Sequence, residues 1–420
     1  MEKMLIGNLH PTDQEKVDDY MEQLTDEGED PYGHEPSPRS PLLKVHSEQS
    51  MNAEVDAKIL RMHYITPISE FYIRHHHPVP LLSEKDVDNF RLDVDLSLLS
   101  TKTLTASENI SEKEKKHQTA KLSLEQIKSL PKVEVTTTLQ CSGNRRSGFN
   151  SFRRTSGTPW GQGAISTAKW GGARLADVLF LASEQLADND ENDGASQHEP
   201  EKNSSKSTKK CINRDGNRTL QYLHTLLDDH PNLQHLRFES LDGMLASIPV
   251  IKALSPFGDV IVAYEMNDWP LPRDHGYPLR IIVPGYAAVR NVKWLSKLEM
   301  AEEEALGPWQ RGLNYKVLPP GVLDAKEVDL AKMPGLGEVA IFSGITHISR
   351  AEVSSEIVNE NELVPGETVM VKASGWAWAG EYFCDYYYLV FMTLQAIIPM
   401  LIPSSSICFH ISHIIKNMIL

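Results

Sequence analysis

The stretch that decides the fold is Val133–Ser147, which reads VEVTTTLQCSGNRRS. Its first half alternates between two sets of side chains with a period of two, which is typical of a half-buried β-strand. The alternation ends at Cys141, and the next three residues, SGN, favour a turn. Arg145 and Arg146 follow directly. We therefore predict a thiol at the point where a strand becomes a loop, beside two permanent positive charges.

Cys141 has two interpretations at this point. Nearby cations favour the thiolate, which is the form that binds metals and attacks electrophiles. A lone cysteine in a strand is more often an inert, buried side chain. The basic loop favours the first interpretation, because an anion-binding loop directly after a core cysteine would otherwise be a coincidence.

Bulk composition limits the classes of function. The chain has 420 residues, of which 40% are hydrophobic and 24% charged, so two or three globular domains are expected. The net charge of −15 argues against nucleic acid as a partner, because phosphate binding needs a basic surface. The cysteines lie far apart without a CxxC pair, which argues against a thiolate zinc site and a disulfide framework. They are Cys141, Cys211, Cys384 and Cys408.

Local patterns predict individual elements. We expect helices where apolar residues recur at helical spacing and strands where β-branched or alternating residues dominate. The predicted helices are Leu122–Leu130 and Leu175–Gln185, and the predicted strands are Phe90–Leu99, Val260–Met266, Leu279–Val283, a short one within residues 64–80 and two within residues 364–380.

A longer match surrounds the opening stretch. TTLQCSGNRRS, Trp160 and GAISTAKWGGARLADVL (residues 163–179) closely resemble the molybdenum-cofactor domain of eukaryotic sulfite oxidases. The resemblance implies an α+β fold, with a molybdopterin-binding domain of mixed β-sheets and helices followed by a truncated immunoglobulin-like β-sandwich. It also implies that Cys141 is the protein's one ligand to molybdenum.

The resemblance continues downstream and implies where the cofactor is held. Residues 64–80, YITPISEFYIRHHHPVP, align with a cofactor-lining Phe-x-Arg-Asn-His segment, in which His75 replaces Asn. The three adjacent histidines do not predict a metal site of their own, because neighbours on a strand face opposite sides. The motifs FESLDG, LPRDHGYPLR and PGYAAVRNVKWL supply the other contacts, with Asn291 in place of a usual His, and Arg290 and Lys293 add positive charge to the same pocket. The implied cofactor contacts are Tyr72, Ile73, Arg74, His75, His76, Asp242, His275, Arg280, Asn291, Val292 and Lys293.

The resemblance also implies a reaction, the oxidation of sulfite to sulfate. Sulfite would attack an oxo group of the Cys141-ligated molybdopterin centre, two electrons would pass to molybdenum, and water would release sulfate. The implied catalytic residues are Arg74, Arg146, Tyr315 and Trp160, the last as a wall of the pocket. These roles are physically reasonable, because a thiolate is a soft ligand for a redox metal and preorganised cations stabilise an oxyanion.

Composition and resemblance together divide the chain. Residues 1–50 are predicted to be an irregular acidic lead-in and linker. Residues 51–325 form the cofactor domain, with 187–235 as a disordered insertion. Residues 340–380 form a partial dimerisation domain. The hydrophobic tail at 381–420 has three interpretations: a membrane segment, an abnormal terminus or a core segment.

Several alternatives stay open. A nitrate reductase-like molybdenum domain shares the Cys-x-Gly-Asn-Arg-Arg pattern, and a truncated, catalytically inactive product is also consistent with the sequence. No haem is predicted, because the His-Pro-Gly-Gly loop of the family's haem domain is absent. The electron acceptor is either cytochrome c or oxygen. Relatives form homodimers in the mitochondrial intermembrane space, but the shortened sandwich and an N-terminus without a targeting pattern leave a monomer and the cytosol as alternatives.

Overall fold

A computed structural model describes residues 39–48, 50–99, 118–193, 226–322, 324–340, 342–350, 368–378 and 390–399. Within these residues the strands form four sheets, joined by short helices. This mixed-sheet architecture agrees with the predicted α+β class. The strands are β1 (Leu43–Ser47), β2 (Asn52–Val55), β3 (Ile73–Arg74), β4 (Arg91–Asp95), β5 (Thr119–Ser123), β6 (Lys132–Gln140), β7 (Ile165–Arg174), β8 (His235–Ser240), β9 (Leu245–Pro249), β10 (Ile261–Met266), β11 (Trp269–Pro270), β12 (Arg280–Ile282), β13 (Leu295–Ala301), β14 (Phe342–Arg350), β15 (Thr368–Trp378) and β16 (Val390–Pro399).

The helices are short, with one exception. The α-helices are α1 (Ala57–Leu60), α2 (Glu84–Asp88), α3 (Leu124–Lys128), α4 (Arg146–Phe149), α5 (Leu175–Asp193), α6 (Val250–Leu254) and α7 (Pro308–Arg311), and residues 226–229 are also helical. The 3₁₀ turns are Ile68–Glu70, Ser97–Leu99, Arg273–His275, Ala288–Arg290, Leu313–Tyr315, Ala325–Glu327 and Leu330–Lys332.

The sheet that carries the opening stretch has the order β11-β10-β7-β6, and β12 also pairs with β10. The predicted alternation in β6 holds from Lys132 to Thr136, but Thr137–Gln140 is buried on both faces. The physical reason is that this end of β6 lies between two hydrophobic clusters, one containing Leu139 and Ala168 and the other containing Ile165, which pairs with Gln140. Cys141 therefore follows a strand end that enters the protein interior.

The second large sheet has the order β5-β4-β13-β8-β9, in which β13 runs parallel to β4 and the other pairs are antiparallel. Helix α5 packs against its core through the predicted apolar face of Leu175, Val178, Leu179 and Ala182. The helix continues to Asp193. The predicted disordered insertion is therefore helical over residues 187–193 and ordered over 226–235, and residues 194–225 lie outside the described part.

Three other boundaries differ from the predictions. Strand β1 lies inside the predicted irregular lead-in, because it pairs with β2. The predicted strand Phe90–Leu99 ends at Asp95 and continues as a 3₁₀ turn. The predicted helix Leu122–Leu130 begins only at Leu124, because Ser123 caps it by accepting a hydrogen bond from Gln126 N.

The last sheet has the order β14-β15-β16. Residues 368–378 form one strand and not the predicted pair of short strands, since partners on both sides pair along it. The apolar tail contributes β16, whose backbone pairs with β15 from Val390 to Pro399. Residues 390–399 are therefore a strand, and no helix of the described part is long and apolar enough to cross a bilayer. The interpretations of the tail as a whole stay open. The truncated sandwich stays a prediction.

Candidate active site

A cleft opens where the end of β6 meets the loops after β3, β8 and β12. It encloses about 1070 Å³ of space that protein atoms do not fill, its open mouth included. Its walls contain most of the side chains that the sequence predicted for the site, although these are spread over more than 240 positions of the chain. The predicted residues that line it are Tyr72, Arg74, His76, Cys141, Arg146, Trp160, Asp242, His275, Arg280, Asn291, Val292, Lys293 and Tyr315.

Backbone hydrogen bonds fix the position of Cys141. Its N–H donates to Ala164 O at 3.0 Å, and its carbonyl accepts from Asn144 N at 2.9 Å. The Asn144 side chain in turn accepts from Ala164 N at 3.2 Å. The turn after the strand is therefore held against the start of β7 on both sides of the cysteine.

Burial and the neighbouring charges act on the Cys141 thiol in opposite directions. Burial raises the pKa of the thiol, and this effect exceeds the lowering by the Gly143 N–H and by the Arg74 and Arg146 charges. The neighbouring arginines therefore reduce the cost of forming a thiolate without producing one. No group of three or more His, Cys, Asp or Glu side chains in the described residues could hold a metal ion. A metal bound by Cys141 would need its other donors from a cofactor.

Arg146 enters the cleft between two glycines. Its Nη1 donates to Thr158 O at 2.8 Å. A Cβ on Gly143 would lie 2.6 Å from Arg146 Nη2, and one on Gly157 would lie 2.8 Å from Nη1. The two glycines therefore leave the space that the guanidinium occupies. Arg145, by contrast, takes a left-handed conformation with φ 66° and donates to Ser343 O on β14 at 2.7 Å.

A buried glutamate that the sequence did not reveal supports Trp160. The Glu54 carboxylate is 2% exposed and accepts hydrogen bonds from Gly161 N at 2.5 Å and Gly163 N at 2.8 Å. His46 Nε2 lies 2.7 Å from the same carboxylate, and its ring packs edge-on against Trp160. This arrangement fixes the turn that presents Trp160, which is fully buried, to the cleft.

Arg280 and Lys293 form the opposite wall. Arg280 donates to Asn291 O at 3.2 Å and His275 O at 3.0 Å, and it lies 4.9 Å above the Trp170 ring. Burial lowers the pKa of Arg280 to about 10 and that of Lys293 well below its usual value. Burial also lowers the pKa of His275 to about 3, so this imidazole is neutral near pH 7.

The cations of the cleft lack counterions. Arg74, Arg146, Arg280 and Lys293 all line it, and none of them lies within 4 Å of a carboxylate in the part of the chain that the structure describes. Their hydrogen bonds go mainly to backbone carbonyls. Because unpaired buried charge is costly, the cleft is prepared for an anionic ligand.

An ion pair behind the wall was also missed by the sequence. Asp274 is 1% exposed and receives hydrogen bonds from Arg39 at 2.8 and 2.9 Å. Burial alone would raise the pKa of Asp274, but the hydrogen bond from Arg39 and nearby positive charge together lower it. The Asp274 carbonyl accepts from Lys293 Nζ at 2.9 Å. This pair therefore holds the backbone that orients Lys293.

Three predicted residues do not line the cleft. Ile73 is buried where β3 pairs with β2, and His75 is buried with its Nε2 3.1 Å from Asp274 O. Both support the wall from behind, because successive residues of β3 face opposite sides. Arg290 donates to Leu336 O at 2.7 Å and Trp309 O at 3.0 Å, so it anchors the following segment and adds no charge to the pocket wall.

Tyr315, His76 and Asp242, which also line the cleft, each have a polar side-chain partner. Tyr315 Oη lies 2.7 Å from His76 Nε2. Burial raises the pKa of Tyr315. The pKa of His76 is lowered to about 3, mainly by burial and further by the charges of Arg74 and Lys293. Asp242 accepts a hydrogen bond from Ser240 and lies 3.5 Å from His77 Nδ1. The three adjacent histidines therefore face three different neighbours, as their alternation predicted.

Residues 76–309 match the family described as oxidoreductase molybdopterin binding domain. The chain belongs to this family. It is 35% identical to the mitochondrial sulfite oxidase of Homo sapiens over 89% of this chain and 54% of that protein. It is 35% identical to the sulfite oxidase of Arabidopsis thaliana, over 70% of this chain and 62% of that protein. It is 28% identical to the NADH nitrate reductase of Ulva prolifera, over 68% of this chain and 27% of that protein.

Family membership gives the chain its cofactor, molybdopterin with its molybdenum. The donor set fits this group. One thiol is available for the metal, and unpaired cations are available for the cofactor's phosphate. The chain spans about half the length of the mammalian relatives that it matches.

Proposed function

We propose that this chain oxidises sulfite to sulfate at a molybdenum centre ligated by Cys141. The observation that carries the proposal is the position of Arg74 and Arg146. Both act electrostatically on the Cys141 thiol, and neither has a carboxylate partner in the described residues. An anion that reacts at a Cys141-bound metal would therefore be bound by unpaired positive charge. The resemblance to sulfite oxidases favours sulfite as that anion.

Two groups of residues hold the cofactor in this proposal. Arg280 and Lys293 bind the cofactor's phosphate, for which an arginine is well suited because it can donate two parallel hydrogen bonds. His275 is neutral near pH 7, and with Asp242 it offers hydrogen bonds to the polar edge of the pterin, whereas the Asn291 side chain accepts from Val283 N and supports the wall. Cys141 gives its thiolate to the metal, because a bound cation favours the deprotonated form.

The substrate side of the cleft binds and orients sulfite. Arg74 and Arg146 attract the oxyanion, and the Tyr315 hydroxyl donates to it. Tyr315 keeps its proton, because burial raises its pKa and the adjacent His76 is neutral. Trp160 walls the cleft and limits access of water. The bound molybdenum cofactor supplies the two-electron oxidation and the transfer of an oxygen atom.

Turnover with two substrates tests the proposal. The purified chain, loaded with cofactor, is assayed with sulfite and with nitrate, and its molybdenum content is measured. Sulfite oxidation without nitrate reduction is expected. Nitrate reduction alone would favour the second candidate, for which the similarity to the Ulva nitrate reductase is the supporting observation. Stoichiometric molybdenum without either activity would identify an inactive member of the family.

Two further proposals concern location and assembly, and the relatives' names support the first. The mammalian proteins are called mitochondrial, so we infer a mitochondrial location, and the intermembrane space is the compartment to test first. A homodimer through the last sheet is the corresponding proposal for assembly. Fractionation of cells and sedimentation of the purified chain measure these directly.

A further inference from the structure

An exposed loop rises from the rim of the cleft. We call residues 147–159 the rim loop. Its ends are joined, because Ser147 N donates to Trp160 O at 3.0 Å and Arg146 Nη1 donates to Thr158 O at 2.8 Å. Within the loop, Asn150 Oδ1 accepts from both the N–H and the hydroxyl of Thr155 at 2.8 Å. Compact loops with closed ends are frequently functional.

The rim loop adjoins the site at both of its ends. Arg146 precedes it, and Ser156, Gly157 and Thr158 within it line the cleft. A molecule that contacts the loop tip therefore lies next to the place where Cys141 would hold the metal. Any electron that leaves the centre toward this side passes the loop.

The tip of the loop combines exposed aromatic and positive side chains. Phe149 is 64% exposed. Phe152 is 90% exposed, which is more than any other large hydrophobic side chain of the described residues. Arg153 and Arg154 beside them are exposed and have no carboxylate within 4 Å in the described part. Aromatic residues and arginine are enriched in protein interfaces.

The charge of this region is opposite to that of the chain. Residues 141–176 contain no Asp or Glu, whereas the whole chain has a net charge of −15. The rest of the surface repels an acidic protein, so this basic patch is where such a partner would be steered. A basic partner would be attracted to the acidic remainder and repelled here.

We propose that the rim loop is the docking surface for an acidic one-electron carrier protein that accepts electrons from the molybdenum centre. The proposal rests on the proposed function. Sulfite and water give sulfate, two protons and two electrons, and two carrier molecules are each reduced by one electron. An acidic carrier fits the loop better than the basic cytochrome c.

Charge reversal at the tip tests this surface with the cofactor-loaded chain. The probe is plant plastocyanin, an acidic one-electron acceptor, and horse cytochrome c is the basic comparison. Arg153→Glu/Arg154→Glu is expected to raise the Kd of plastocyanin about tenfold and to remove most of its salt dependence. The matched control is Lys326→Glu/Lys332→Glu, which makes the same change in net charge at two exposed 3₁₀ turns.

A second variant separates the apolar contact from steering. Phe149→Ser/Phe152→Ser is expected to weaken plastocyanin binding about fivefold while leaving its salt dependence unchanged. Phe257→Ser, at an exposed phenylalanine outside the loop, is the control. Reduction of the bound centre by sulfite without an acceptor is measured for each variant. The docking variants should retain it, and its absence in the unmodified chain would count against the proposed function and not against docking.

Three results would overturn the proposal. The first is equal plastocyanin binding by the unmodified chain and both loop variants. The second is an equal loss in the loop and control variants, which would assign the effect to net charge. The third is a change in sedimentation of the loop variants, which would show that a second copy of the chain covers the patch.

Discussion

Arg39 and Asp274, which are 235 residues apart in the sequence, form a bidentate ion pair with hydrogen bonds of 2.8 and 2.9 Å. The carboxylate is almost fully buried, whereas the arginine is 35% exposed. Since the Asp274 carbonyl also accepts from Lys293, this pair connects the start of the described chain to the cofactor wall.

Arg39→Leu is expected to lower the free energy of unfolding by about 2 kcal/mol, because it leaves a buried carboxylate without its partner. Urea denaturation measures this change. Arg39→Lys keeps the charge but not the paired hydrogen bonds, so its free energy of unfolding is expected to fall by less than that of Arg39→Leu. Equal stability of all three proteins would contradict the structural role.

The same pair predicts a dependence on pH. The pKa of Asp274 is depressed in the folded chain, so its stabilising contribution is present above its unfolded value of about 4 and is lost as the pH falls through the folded value. In Arg39→Leu, burial without a partner raises the pKa of Asp274. As the pH falls, the difference in stability between the two proteins should therefore begin to narrow above about pH 4, at the raised pKa of the variant, and continue to narrow until the depressed pKa of the unmodified chain is passed.

Cys141→Ser is expected to abolish sulfite oxidation and to leave the fold intact, because a serine hydroxyl does not replace a soft thiolate ligand. Activity, molybdenum content and circular dichroism are compared with those of the unmodified chain. Retained turnover in this variant would refute the assignment of Cys141 as the metal ligand.

Gly143→Ala is expected to raise the KM for sulfite about tenfold, because the new methyl group would displace the Arg146 guanidinium 2.6 Å away. The end of a flexible arginine can move, so the fold should survive. Gly148→Ala is the matched control, since a Cβ at Gly148 meets nothing within 4 Å. An equal KM for sulfite in the two variants, measured by steady-state kinetics, would refute the inference that Gly143 leaves the space for Arg146.

Lys293→Met is expected to change stability and cofactor binding in opposite directions. Removal of a half-buried cation that has no carboxylate partner in the described residues should stabilise the cofactor-free chain by about 1 kcal/mol. The same change should reduce the molybdopterin content, because a phosphate contact is lost. Denaturation of the cofactor-free protein and analysis of released pterin measure the two effects. A loss of both properties would indicate that Lys293 is structural.

Tyr315→Phe is expected to raise the KM for sulfite severalfold without changing the pH profile between pH 6 and 8. The raised pKa of Tyr315 and the His76 pKa of about 3 place both titrations outside this range. Kinetics across that range check the prediction. A titration that appears in the unmodified chain and disappears in the variant would contradict it.

Residues that lie in continuous motifs could be grouped from the sequence. Cys141, Arg146, His275 and Arg280 lie in continuous motifs, and the fold brings them to one cleft. Glu54 could not be predicted, since it accepts from backbone N–H groups more than 100 positions away. The balance of effects on the Cys141 thiol could not be predicted either, because burial depends on packing that the local arginines do not reveal.

The tail shows a different limit of sequence reasoning. An apolar run does not distinguish a strand from a helix by its composition. Val390–Pro399 forms a strand here because the neighbouring strand β15 pairs with it along its whole length. Local propensity could not supply that information.

The unpaired cations of the cleft have a consequence for the amount of protein in a cell. Each chain that has not yet received its cofactor carries uncompensated positive charge in its interior and is less stable for that reason. Ligand binding removes this penalty by mass action, and less stable chains are degraded faster. Cofactor supply is therefore expected to set the steady-state abundance of this protein even when its synthesis is constant.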